Sequence, residues 1–193
     1  MKITKIESAA QSVSRWSGGT TTQLAICPEN AAYADRDFLW RVSSAVVELP
    51  ESDFTPLPDY DRILMILDGE LALSHDGGEE YTLRALEQTA FDGASHTFSR
   101  GQVTDFNLMM RKNRCTGRVE AKLLQEGAWT NPLQGAYSTH LFYCVDGSAE
   151  INTAGEQIRF AKGEALLLES DNREESCEVN GNALLVLAEM KLR

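Results

Sequence analysis

The sequence predicts an all-β protein of two tandem units, and three observations carry that expectation. Thr104 to Arg111 alternates with period two, setting Phe106, Leu108 and Met110 against Asp105, Asn107, Met109 and Arg111, which is the pattern of a half-buried strand. Two apolar runs end alike in an Asp-Gly step: Ile63 to Leu67 before Asp68-Gly69, and Leu141 to Val145 before Asp146-Gly147. No segment sustains a helical period with convincing caps, and the best helical candidate is a turn near Glu29 to Asp35.

Each unit then continues in the same order. After Gly69 the first runs through Glu70 to Leu73, a Gly77-Gly78 turn, Glu80 to Leu83, Leu86 to Phe91, and the closing strand Thr104 to Arg111. After Gly147 the second runs through Ser148 to Ile151, a turn at Gly155, Gln157 to Phe160, Gly163 to Leu168, and the closing strand Ala183 to Met190. Short strands joined by glycine turns at regular intervals suggest antiparallel jelly rolls, which protect their sheet edges by folding over. The arrangement expected is a bicupin: two tandem jelly-roll or cupin β-barrels in one chain, over residues 1–115 and 116–193, closely packed and with strand exchange between them allowed.

Composition removes several function classes. With 42% hydrophobic and 24% charged residues the chain can build a core and is neither a disordered tail nor a membrane protein. Its net charge of −11, with Lys and Arg scattered, repels phosphate backbones and anionic lipid heads, so neither a nucleic acid nor a membrane is expected as partner. Met1 to Glu7 lacks the apolar run of a secretory signal, and the cytoplasm is the expected location. Cys27, Cys115, Cys144 and Cys177 form no C-x-x-C pair and read as reduced thiols.

Cupins usually hold a metal with two histidines and a glutamate in one motif and a third histidine in the next. Aligning Gly69 with the end of the first motif puts Arg62 at the glutamate position and Thr55 to Pro58 where the histidine pair would stand. His96 keeps a Gly-x-x-His step after Gly93. In the second unit Gly147 puts His140 at the glutamate position, with Leu133 to Ala136 and Glu174 at the other ligand positions. One imidazole per unit falls short of the three or four protein ligands that transition metals take, so neither a metal nor any other cofactor is expected. His75, before Asp76-Gly77-Gly78, reads as a solvated turn residue, whereas His96 fits a structural role or a place in a pocket.

Arginine in place of a metal-binding carboxylate turns a cation site into a candidate carboxylate site, because guanidinium offers a planar fork of donors. In Phe38 to Ala45 the strand period puts Arg41, Ser43 and Ala45 on one face and Trp40 on the other. The competing reading pairs these arginines with Asp61 or Asp105 at the surface. Gly18-Gly19 permits close backbone approach or a positive φ, and the hydroxyls of Thr20 and Thr21 can donate to an anion. Trp16 suits either packing at the end of a barrel or stacking on a ligand. Asn107, on the polar face of its strand, needs either protein partners or a ligand.

Four blocks in order make a family resemblance specific: Trp16 to Leu24, Phe38 to Ser43, Phe54 to Arg62 and Asp105 to Arg111. They resemble the W-x-x-G-G-x-T, F-x-W-R-x-S, F-S-x-F-P-G-x-D-R and D-F-N-x-M-x-R segments of the HutD family, which includes the Ves proteins. Two departures stand out, Thr21-Thr22-Gln23 where members commonly carry T-R-E and Pro58-Asp59 where they carry P-G. The resemblance implies a bicupin without the usual metal set, linked to histidine degradation, with no established catalysis.

Residues and resemblance together point to binding of a small carboxylate metabolite, urocanate- or formiminoglutamate-like, in regulation of histidine utilisation. Arg41 and Arg62 would clamp the carboxylate, Ser43, Thr21 and Asn107 would supply hydrogen bonds, and His96 or Trp16 would touch the rest. No catalytic residue is assigned, and a homodimer is allowed. The alternative is a metal-independent isomerase or hydrolase with His96 as acid or base and Asp92 or Asp105 as the second proton-transfer group. A pure interaction protein is the third possibility.

Overall fold

The computed structural model describes residues 1–133, 137–170 and 175–193. Its sixteen strands are β1 (Lys2–Ile6), β2 (Ser12–Trp16), β3 (Gly19–Cys27), β4 (Trp40–Val47), β5 (Glu51–Asp53), β6 (Tyr60–Asp68), β7 (Glu70–His75), β8 (Tyr81–Arg84), β9 (Gln88–Asp92), β10 (Thr97–Arg100), β11 (Thr104–Arg111), β12 (Cys115–Pro132), β13 (Thr139–Thr153), β14 (Glu156–Ala161), β15 (Ala165–Glu169) and β16 (Ser176–Leu192). Helical structure among the described residues is limited to single 3-10 turns at Ser8–Ala10 and Tyr33–Asp35, the latter inside the segment expected to turn.

The chain divides into two compact units, Ser12–Thr116 and Met1–Gln11 with Gly117–Arg193. The first strand, counted by the sequence reading with residues 1–115, instead lies antiparallel to β15, with Ile3 opposite Leu168. Pairing covers an otherwise open edge of that sheet, whose order is β1-β15-β13-β16-β12 with β14 added on β13.

The Ser12–Thr116 unit is a two-sheet jelly roll. One sheet runs β2-β3-β4-β11-β6-β9 and the other β5-β10-β7-β8, so its sheets stay open and do not close into a barrel. Between them Leu64 and Ile66 of β6 pack with Leu71 and Leu73 of β7 and Leu83 of β8. The parity that turns Leu71 and Leu73 inward carries His75 with them. His75 is therefore half-buried, with Nδ1 2.8 Å from Thr97 Oγ1 and Nε2 2.9 Å from Tyr81 Oη, and is not the solvated turn residue expected.

The two Asp-Gly steps play different roles. Gly69, at φ +89°, separates β6 from β7, whereas Asp146-Gly147 lies inside the continuous strand β13. There the register shifts between Cys144 and Asp146 and Gly147 takes φ +77°, the signature of a bulge and not of a hairpin turn. The bulge lets one strand serve two neighbours, β15 before it and β14 after it. Cys27, Cys115, Cys144 and Cys177 form no disulfide among the described residues. No helix among the described residues is long and apolar enough to cross a membrane.

Candidate functional site

Antiparallel register builds the site. Across β4, β11 and β6, Arg41 faces Met109 and Met109 faces Arg62. Two residues along, Gln23 of β3, Ser43, Asn107 and Leu64 form a second row, and Thr21, Ala45, Asp105 and Ile66 a third. Because side chains alternate, the three rows share one face of the sheet. That face lines a cavity of about 550 Å³, closed further by Tyr33, Phe54 and Trp16.

The cavity collects Trp16, Thr21, Arg41, Ser43, Arg62 and Asn107 in its wall. His96 is not part of it: inward-facing Thr97 and Ser99 leave His96 on the other parity, with a side chain 65% exposed and Nε2 3.0 Å from Asp53 Oδ1. Trp16 is neither buried nor free, lying at the cavity edge 37% exposed. Gly18 explains its position, since a Cβ there would overlap the indole, and Gly19, at φ +149°, lies against the Val46 carbonyl.

Both guanidinium groups are deeply placed, Arg41 at 5% and Arg62 at 6% exposure, and neither is ion-paired at the surface as the competing reading held. Arg41 donates through Nε to Gln23 Oε1 at 2.8 Å and through a terminal nitrogen to Ser43 Oγ at 3.2 Å, with its guanidinium 4.3 Å from the Tyr33 ring centre. Arg62 stacks between aromatic rings, 4.9 Å from Phe54 and 5.1 Å from Phe91, and its Nε has no partner. Burial pulls Arg41 below its ordinary range, Tyr33 raising it and Arg36 lowering it further. Burial lowers Arg62 to about 10, against the pull of Tyr33 and Asp105, which leaves it protonated at neutral pH.

Asp105, the walls formed by Tyr33 and Phe54, and Gln23, which holds Arg41, are not assigned to the site by the sequence reading. The sequence reading offers Asp105 as an ion-pair partner, a proton-transfer group or a partner of Asn107, yet it is 5% exposed and lines the cavity with no ion pair among the described residues. Burial pushes its carboxyl up to about 7, while Arg62 and the Ala45 N–H hold it down. Its signal in the sequence was period two, which places it with Asn107 and Met109.

A metal does not fit this donor set. Arg62 occupies the position of the usual glutamate and projects a cation into the cavity, and the described residues hold no group of three His, Cys, Asp or Glu side chains able to grip an ion. In the second unit, positions 134–136 and Glu174 of the motif alignment lie outside the described residues. A larger open depression of about 740 Å³ near Asn152, Gln157 and Glu178 brings only exposed charges, Glu156 and Glu178, to its wall.

These features define a class, an all-β cupin-like jelly-roll protein with an aromatic-walled cavity lined by two buried arginines, and solved cupin-fold structures share the architecture. The family follows from a direct match: the HutD family model covers residues 8–187, and the chain belongs to the HutD family. Protein Ves of Cronobacter sakazakii is 29% identical over 147 residues, 72% of this chain and 75% of that protein. A conserved protein of unknown function from Pseudomonas aeruginosa PAO1, PA5104, superposes with a TM-score of 0.87 at 24% identity, over 99% of this chain and 100% of that one. HutD from Pseudomonas fluorescens SBW25 superposes with a TM-score of 0.78 at 23% identity, over the whole of both chains.

Proposed function

We propose that this HutD-family protein binds a small carboxylate-bearing metabolite in the cavity of the Ser12–Thr116 unit without a metal, and that this binding serves regulation of histidine utilisation. One observation carries the binding reading: two buried guanidinium groups line a half-open cavity, and one keeps an unpartnered Nε. A buried donor without a partner costs free energy that an incoming planar anion recovers through charge-assisted hydrogen bonds. A volume of about 550 Å³ and walls that mix aromatic rings with a few polar groups are the usual dimensions and character of a small-molecule site.

Arg62, and Arg41 held in place by Gln23 and Ser43, form the anion end. Thr21, Ser43 and Asn107 supply hydrogen bonds along the floor, and Trp16 lies at the edge where a flat ligand would leave the cavity. The link to histidine utilisation rests on family membership. The alternative enzyme reading depended on His96, whose imidazole is outside the cavity and turned to Asp53. No observation favours it.

Isothermal titration with urocanate and with formiminoglutamate tests the reading. Saturable heat is expected from at least one of them, with a loss of about 100-fold in affinity in Arg62→Ala, the scale of removing one partner from a buried charged contact. No heat from either compound, or equal affinity in the variant, would overturn it.

A further inference from the structure

A carboxylate seated on Arg41 and Arg62 leaves the opposite end of the same floor unanswered. The three rows form a polarity gradient. The guanidinium row stands at one end, the Gln23, Ser43 and Asn107 row lies in the middle, and Asp105 stands in the third with Thr21 beyond Ala45. The outer rows are four residues apart along β11, roughly 13 Å between Cα atoms. Arg41 leans inward from its row, since it donates to Gln23 and Ser43 of the next.

The unmet hydrogen-bonding groups follow the same gradient. At the cationic end the orphan is a donor, Arg62 Nε; in the middle row it is an acceptor, Asn107 Oδ1, buried and without a partner. Asp105 adds a carboxyl that lines the cavity, is 5% exposed, accepts from the Ala45 N–H and has no ion pair among the described residues. Buried acceptors of this kind demand donors. A ligand bearing only an anion would satisfy Arg62 and bring a like charge towards Asp105.

We infer that the ligand is dipolar: its carboxylate meets Arg41 and Arg62, while a nitrogen-borne N–H at its other end, cationic or imidazole-like, donates to Asp105 and to Asn107 Oδ1. This rests on the carboxylate reading of the site and adds what sets its specificity. The groups that bear on Asp105 are Arg62 of β6 and the Ala45 N–H of β4, with Glu51 and Asp53 of β5 also in the cavity wall. Burial keeps the Asp105 proton on until near neutrality, and an N–H donor from the ligand would favour the ionised form.

A matched pair of probes separates the two ends. Urocanate and 3-(furan-3-yl)acrylate share the carboxylate, the vinyl spacer and the ring size, and only the first carries a ring N–H. Titration of the intact protein is expected to show urocanate binding at least tenfold more tightly. Asp105→Asn should reduce that ratio to below threefold while the furan compound binds as well as before or better. Arg62→Ala should weaken both probes by the same factor. Equal affinity of the two probes for the wild-type protein overturns the dipolar ligand and leaves the carboxylate reading standing, and a ratio unchanged in Asp105→Asn overturns the role of Asp105. Binding of neither probe removes the dipolar ligand, and the carboxylate reading falls with it when formiminoglutamate also gives no heat. The wild-type ratio decides the matter even where the Asp105 variant fails to fold.

Discussion

The two units of this protein bury charge in opposite ways. In Ser12–Thr116, Arg41, Arg62 and Asp105 line a half-open cavity without an ion pair among the described residues. In the other unit, Glu189 is 2% exposed and engaged by Arg118, and His140 Nδ1 lies 3.0 Å from its second oxygen. Burial pushes the Glu189 carboxyl up, but its contacts with His140 and Arg118 prevail and hold it below the ordinary range. These groups stand on the strands that also supply Phe142 and Leu187 to the core. His140 occupies the position of a metal-ligand glutamate in the motif alignment, yet it is set against a carboxylate. The lesson is that a buried charge marks a binding site when it has room beside it and no partner, and a structural contact when another side chain has already answered it.

Truncating each kind of charge breaks the comparison apart. Glu189→Ala removes an answered charge and leaves the buried His140 without its contact while Arg118, 56% exposed, faces water, so urea unfolding should report a loss of about 1.5–3 kcal/mol. Arg62→Leu removes an unanswered one, and the same measurement should show stability unchanged or raised. Comparable losses in both variants would erase the distinction.

Protonation sharpens it. The Asp105 carboxyl, at about 7 when folded against an ordinary 3.8, contributes stability that is complete below the lower value and is lost as pH rises through the higher one. Wild type should therefore fall relative to Asp105→Asn between pH 4 and pH 8, by an amount on the order of 4 kcal/mol at most. Affinity for a simple carboxylate should weaken over the upper part of that range, as a negative charge enters the cavity. A pH profile parallel to that of the variant would contradict the burial argument. The smallest effect is expected at His96, whose pair with Asp53 is solvent-exposed: His96→Ala should change stability and ligand affinity by less than about 0.5 kcal/mol.

Much of this was legible in the sequence, for local reasons. Period two put Arg41 with Ser43 and Asp105 with Asn107, and that parity is what the strands keep. The Gly18-Gly19 step was readable as a close approach or a positive φ, and the four ordered blocks named the family that the match over residues 8–187 shows. Alternation could not reveal that β11 is covered on both faces, with Phe106 and Leu108 fully buried and Asp105 and Asn107 nearly so. It could not distinguish the turn at Gly69 from the bulge at Gly147, because both glycines take a positive φ and only strand pairing separates them.

The sequence by itself determined the strand pattern and which side chains share a face, since both follow from the two-residue repeat of a single extended chain. Only the tertiary structure decided that Arg41, Arg62 and Asp105 meet around one cavity, that His75 is held between Thr97 and Tyr81 while His96 stands outside, and that the first strand joins β15. Those outcomes depend on register between strands far apart in the chain, which is set by how whole sheets pair and pack and leaves no local mark on the residues themselves.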